Sequence, residues 1–311
     1  MGIHSMKNPY KIPRPAQISF SGGRSSAFML WNILKAYEYE LPDDIYVIFA
    51  NTGKEDEKTL EFIKKIEDNW KVKIYWLEFD TKKTPPFSKK RSEDIIYKEV
   101  NFEIASRNGE PFKKLIDYRS ARDRYFITER KNQDKIKNGI NFLPNPLARY
   151  CTDLLKIKSF DYFMKNIGIK QYNNIVGLRY DEPRRVASIK KSSTKRIEIV
   201  VPMYEAEHTK EDISKFWNDY WFDLELPNVD GVTPHGNCDL CFLKNKKNTE
   251  MIIRENPNKA DWWIQIEEEN KNVFRINRPS YKKLKEMIIS TPSLFDDENN
   301  DEDLGDCFCT D

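Results

Sequence analysis

Ala16-Gln17-Ile18-Ser19-Phe20-Ser21-Gly22-Gly23-Arg24-Ser25-Ser26 is the stretch on which the reading of this chain turns. Ala16–Phe20 is an apolar run suited to a short buried strand, and two glycines then permit a tight turn. A helix over about 25–39 follows, with Ala27, Phe28, Leu30, Ile33 and Leu34 as its apolar side. Such a corner lets the backbone approach an anion closely. The helix N-terminus beyond it offers unpaired N–H groups and a positive dipole end, so phosphate is the ligand it suits. The stretch has neither the Gly-x4-Gly-Lys-Ser/Thr of a Walker loop nor the Gly-x-Gly-x-x-Gly of a dinucleotide fingerprint.

Outward from this corner the chain alternates. Ile45–Ala50 reads as a second buried strand, and Lys54–Trp70 as an amphipathic helix with Leu60, Ile63 and Ile66 on one face. Val72–Phe79 reads as a third strand. This rhythm predicts an α/β, Rossmann-like fold: a parallel sheet covered by helices, with the glycine loop at the carboxyl, ligand-facing edge. Residues 81–148 break the rhythm. They are polar, contain Pro85-Pro86 and Asn108-Gly109, and show no clear buried strand, which predicts a mostly helical insertion beside the site. Strands resume at Asn174–Leu178 and Glu198–Val201, and helices follow at Lys210–Tyr220, about Lys246–Glu255 and Tyr281–Ile289. The expected organisation is an arm (1–15), a nucleotide-binding domain (16–205), a C-terminal helical subdomain bearing Cys ligands (206–290) and an acidic tail (291–311).

The composition narrows the classes. With 39% hydrophobic and 13% aromatic residues among 311, the chain can bury a sizeable core, which excludes wholesale disorder. Fifty-two basic and 50 acidic side chains nearly cancel, so the total charge neither requires nor excludes a nucleic acid. No apolar run approaches a membrane span and the N-terminus has no signal-peptide core, which predicts a cytoplasmic protein with no membrane partner. Five cysteines, an odd count without scaffold spacing, read as ligands or reactive thiols.

Four further segments carry chemistry: Phe49-Ala50-Asn51-Thr52-Gly53-Lys54-Glu55, Arg149-Tyr150-Cys151-Thr152-Asp153-Leu154-Leu155-Lys156, Gly177-Leu178-Arg179-Tyr180-Asp181-Glu182-Pro183-Arg184-Arg185, and Gly236-Asn237-Cys238-Asp239-Leu240-Cys241. With the glycine loop, and in this order over about residues 16–270, they resemble the phosphoadenosine phosphosulfate (PAPS) reductase family of PP-loop adenine-nucleotide alpha hydrolases. The resemblance implies that Ser21, Gly22, Gly23, Arg24, Ser25 and Ser26 hold phosphates and that Asn51, Thr52 and Gly53 hold the nucleoside. Lys156, Gly177, Arg179, Arg184 and Arg185 would complete the nucleotide site. Guanidinium groups suit phosphate and sulfate oxygens because they bind them in bidentate fashion. The alternative is that these arginines are solvated or paired with Asp181 and Glu182. The loop departs from the common Ser-Gly-Gly-Lys-Asp-Ser, having Arg24 and Ser25 in place of Lys and Asp. Arg24 can still neutralise phosphate, but the choice between ATP and a sulfonucleotide (PAPS or APS), and the use of Mg²⁺, stays open.

Cys238-x-x-Cys241 has the spacing of two thiolates on one metal or cluster. By the resemblance, Cys151 is a third ligand and the group an iron–sulfur cluster of the four-iron four-sulfur type, with zinc as the alternative. The family's iron–sulfur branch has Cys-Cys where this chain has Cys151-Thr152, so one ligand is missing. Cys307 or Cys309 could complete the site. They could also act catalytically, as the tail thiol of the reductases does, or relay persulfide. Here the tail lacks the family's histidine, and its acidic neighbours favour the thiol over the thiolate. These features imply a PAPS reductase-like oxidoreductase or an ATP-dependent sulfurtransferase, with a sulfur donor or thiol reductant protein as partner. ATP-dependent nucleic-acid thiolation, with adenylation and pyrophosphate release, and a non-catalytic nucleotide- or cluster-binding module are the alternatives. A nucleic-acid acceptor could be touched by Lys190–Arg196 or Lys244–Lys247, although such runs also arise as solvated faces. His4, His208 and His235 form no spaced pair, and Trp262-Trp263 could stack on a base or simply pack.

Overall fold

The computed structural model describes residues 8–81, 85–129, 143–229 and 231–291. Its centre is a six-stranded sheet of order β4-β3-β2-β1-β5-β6, formed by β1 (Ala16–Phe20), β2 (Ile45–Asn51), β3 (Ile74–Thr81), β4 (Ile95–Val100), β5 (Tyr172–Val176) and β6 (Ile197–Val200). All neighbours pair in parallel except β3 and β4, which are antiparallel. The fold is thus the expected α/β type with C-terminal helices.

Side-chain alternation splits the sheet into two faces. Ile18 and Phe20 of β1, with Val47 and Phe49 of β2, pack against α1 (Arg24–Ala36) and α2 (Glu57–Trp70). On the opposite side Ile48, Ala50 and Leu77 pack on Phe160, Phe163 and Met164 of α4 (Lys158–Asn166). Helices that precede β2 and β3 therefore lie on one face, and the helix leading into β5 lies on the other. Successive strands step outward from β1 in opposite directions, so the sheet has its switch point between β1 and β5, where open α/β sheets take ligands.

Residues 81–148 are partly as expected. Helix α3 (Glu110–Glu129) fills much of the region, but β4 is a strand that the sequence reading did not include. Of its six residues only Ile95 is fully buried, because β4 is a sheet edge and shows no buried run. Helix α3 packs with the C-terminal helices α7 (Lys246–Glu255), α8 (Lys259–Asn270) and α9 (Tyr281–Ser290) in a second core built on Phe112, Leu115, Ile116, Ile252, Trp263 and Phe274. Helix α6 (Lys210–Asp219) packs on α1 through Ile213 and Trp217, in the first core. Helix α5 (Pro183–Lys190) lies between β5 and β6. Helix α8 is absent from the sequence reading; Trp262-Trp263 lies in it as packing, with Trp263 fully buried and its indole N–H on Asp239.

Candidate functional site

The loop after β1 has the geometry its glycines suggest. Gly22 has φ +78°, and a Cβ there would lie 2.8 Å from Ile63 and Thr59 of α2, so only glycine fits without displacement. The loop is closed by hydroxyls: Ser21 Oγ donates to Ser26 Oγ at 3.0 Å, and Ser26 Oγ also reaches the Gly23 carbonyl at 2.9 Å. Helix α1 begins at Arg24 with no side-chain cap and no acidic residue in its first turn, an end that suits an anion.

Arg24 is placed differently from the sequence reading. Its guanidinium is buried and forms a two-pronged ion pair with Asp223, with Nε to Oδ1 at 2.8 Å. It donates further to Thr233 Oγ1 at 3.0 Å and to the Leu226 carbonyl at 2.8 Å. These partners lie on the segment after α6, and they occupy the guanidinium that was expected to neutralise phosphate. The geometry makes Arg24 a clasp between the loop and that segment.

Arg179, just past β5, does reach the loop: its Nη1 lies 3.5 Å from Ser25 Oγ. It also contacts Asp181 Oδ1 at 3.0 Å and approaches Glu182 Oε2 at 3.6 Å. Gly177, directly after β5, lies against Ser26 and Met203, where a Cβ would stand 3.4 Å from Ser26 Cα, an ordinary contact. Arg185 pairs with Glu182, whereas Arg184 is exposed and makes no ion pair among the described residues. The carboxylate-paired alternative thus holds for Arg185 and in part for Arg179.

Beside the switch point lies a cavity of about 210 Å³, lined along β1, β2, β5 and β6 together with Thr152, Lys156, Ile157 and Phe160. Its floor is polar. Gln17 Nε2 donates to Ser19 Oγ at 3.0 Å, and Ser19 Oγ donates to Asn174 Oδ1 at 2.8 Å, linking the central strands β1 and β5. These three residues were missed in the sequence reading. Their signal was present, since Gln17 and Ser19 are polar residues alternating within a central strand, where apolar ones are the rule. Lys156 enters the wall from a π-helical turn, Thr152–Ile157, a geometry with no sequence signature.

The Asn51-Thr52-Gly53 turn ends β2 beside this cavity, but its side chains are engaged by the protein. Asn51 Nδ2 donates to Glu78 Oε1 at 2.7 Å and to the Ser106 carbonyl at 2.9 Å. Thr52 Oγ1 donates to Glu55 Oε1 at 2.8 Å and lies 3.4 Å from Cys238 Sγ. Gly53, at φ +75°, lies against Gly109, whose N–H donates to the Gly53 carbonyl at 2.7 Å. Lys54 forms a buried pair with Asp239 at 3.0 Å. The turn is therefore the joint by which the Cys238–Cys241 segment and the helical core attach to the sheet edge.

Cys151, Cys238 and Cys241 all contact the second core. Burial, ahead of the neighbouring Glu55 and Cys241, pushes the Cys238 thiol well above its ordinary range despite opposing pulls from Lys156 and Thr52. Among the described residues no three His, Cys, Asp or Glu side chains form a group able to hold a metal ion. Cys151, Cys238 and Cys241 are thus not gathered into a three-ligand group among the described residues. Cys307 and Cys309 lie outside the described residues. His235 is buried with Nε2 2.9 Å from Glu255 Oε2; burial draws its pKa down, against the opposing pull of Glu255. Lys244 is a structural residue, its ammonium on the Pro234 and Gly236 carbonyls, each at 2.6 Å.

No helix among the described residues is long and apolar enough to cross a membrane. No protein-family model matches the chain. It is similar to an uncharacterized nin region protein, ORF290, of Escherichia phage lambda, 29% identical over 241 residues that cover 76% of this chain and 67% of the phage protein. A shorter likeness, 41% over 73 residues, links it to the uncharacterized protein MJ0066 of Methanocaldococcus jannaschii, covering 23% of this chain and 14% of that protein.

Proposed function

We propose that this chain is a PP-loop enzyme of sulfur chemistry that binds an adenine nucleotide, ATP or a sulfonucleotide, as the PAPS reductase-like motifs imply. One observation carries the reading. Ser21 of the loop lines the cavity beside β1, β2 and β5, and Arg179, just past β5, approaches Ser25 of the same loop. The phosphates would lie on the N–H groups of the loop and of the first turn of α1, with Arg179 at their anionic end. The base would enter the cavity, over the Gln17–Ser19–Asn174 floor, and Lys156 would face the reacting end. Asn51, Thr52 and Gly53 serve by fixing the edge of β2, and Arg24 by holding the loop. The proposal routes no step through a cluster.

Product analysis tests the reading. The full chain is incubated anaerobically with ATP, or with PAPS or APS plus a thiol reductant, and pyrophosphate, AMP and sulfite are measured. Pyrophosphate from ATP or sulfite from a sulfonucleotide, lost in Lys156→Ala and in Arg179→Ala, is the expected result. Tight nucleotide binding without either product would leave a non-catalytic binding module. The absence of both nucleotide binding and product would overturn the proposal.

A further inference from the structure

The segment Pro183–Arg196 concentrates positive charge. It contains Arg184, Arg185, Lys190, Lys191, Lys195 and Arg196 and no acidic residue, while the other 297 residues hold 46 basic and 50 acidic side chains. The small net positive charge of the chain therefore arises here. Neighbouring carboxylates neutralise part of it: Arg185 pairs with Glu182, Arg196 with Asp161, and Lys190 lies 4.0 Å from Glu205. Arg184, Lys191 and Lys195 are exposed and make no ion pair among the described residues. Glu198 on β6 is the next acidic residue along the chain. The same segment borders the candidate nucleotide site, because Ile189 and Ser192 line the switch-point cavity.

We propose that helix α5 and the loop to β6 dock the phosphate backbone of a nucleic acid beside that cavity. The repeating charge points to a repeating anion. Helix α5 alone is about 12 Å long, which spans three to four phosphates at about 3.4 Å per nucleotide of a duplex strand. A membrane surface fits less well. An interfacial helix needs an exposed apolar face, and the apolar residues Val186 and Ile189 of α5 are buried. In relation to the proposed function, which this inference deepens, the docked strand is the substrate class that would be presented to the activated nucleotide.

The test separates the two claims. Binding of labelled 20-nucleotide single-stranded RNA, single-stranded DNA and their duplexes to the full chain is followed by fluorescence anisotropy as salt is raised. ATP binding is measured on the same preparations. The Lys190→Glu/Lys191→Glu/Lys195→Glu variant should bind nucleic acid at least about tenfold more weakly, with a log–log salt slope shallower by about two. ATP affinity should be unchanged in that variant, and Lys247→Glu should bind nucleic acid like the wild type. The RNA and DNA arms identify which nucleic acid is held. The inference is overturned if the wild type binds no nucleic acid at low salt, or if the triple variant keeps the wild-type affinity and slope. An equal loss in Lys247→Glu, or equally tight binding to anionic phospholipid vesicles, would also overturn it. Loss of ATP binding in the wild type alone would refute the nucleotide reading and leave the docking surface standing.

Discussion

Arg24 stands in the glycine loop after β1 yet gives its guanidinium to Asp223, Thr233 and the Leu226 carbonyl. Its replacement by Ala should therefore cost stability first. Breaking the pair leaves Asp223 partly exposed, so the loss should be about 2 kcal/mol, below that of a fully buried pair. Urea unfolding checks this; unchanged stability together with a tenfold loss of nucleotide affinity would restore Arg24 as a phosphate ligand. Gly22→Ala meets both a left-handed backbone and a 2.8 Å contact with α2, and should destabilise by about 2 kcal/mol or more. An unfolding midpoint equal to the wild type would contradict the close approach. The two residues show what a sequence reveals. Gly22 was legible because its constraint is local, a turn between strand and helix. The partner of Arg24 lies 199 residues away and leaves no local trace.

At the scale of elements, strand–helix alternation was legible wherever burial made a largely apolar run, as over Ile45–Ala50 of β2. Strand β4 was not, because an edge strand buries little and shows no such run. The polar floor was overlooked for the opposite reason: Gln17 and Ser19 sit inside a strand whose neighbours made it read as core. The joint between elements gives a pH-dependent prediction. Asp56 caps α2 through the Lys58 N–H and also takes the Lys259 ammonium of α8 at 2.6 Å. Burial opposes its ionisation, but these partners outweigh burial and hold its pKa below the ordinary carboxylate value. A carboxyl so depressed contributes stability above the unfolded pKa of about 4, and that contribution is lost as pH falls through the folded value. Asp56→Asn, which keeps a capping oxygen, should therefore narrow the stability difference between pH 7 and pH 3. Urea midpoints at the two pH values measure it, and a pH dependence identical to the wild type would rule out the contribution.

For the whole molecule, two cores bind the expected parts together. Ile213, Trp217 and Leu224 complete the core under α1 and α2, while Leu240, Phe242 and Trp263 complete the core beneath α3. A chain ending at Glu205 should therefore lack a cooperative thermal transition; a sharp transition in that fragment would show that the N-terminal part folds without the C-terminal helices. The order of motifs along the chain was readable from sequence, and so was their placement on one edge of a parallel sheet. Which side chains remain available to a ligand was not, since Asn51 and Arg24 are taken up by partners distant in sequence and Thr52 by Glu55 of its own turn. The central claim is that the loop, the cavity and Arg179 together hold an adenine nucleotide. Calorimetric titration with ATP and with PAPS, on the wild type, on Arg179→Ala and on Ser19→Leu, tests it most directly. The account predicts saturable binding of at least one nucleotide by the wild type, weakened about tenfold or more by removing the guanidinium and by filling the cavity floor. Absence of binding in the wild type, or equal affinity in all three proteins, would contradict it.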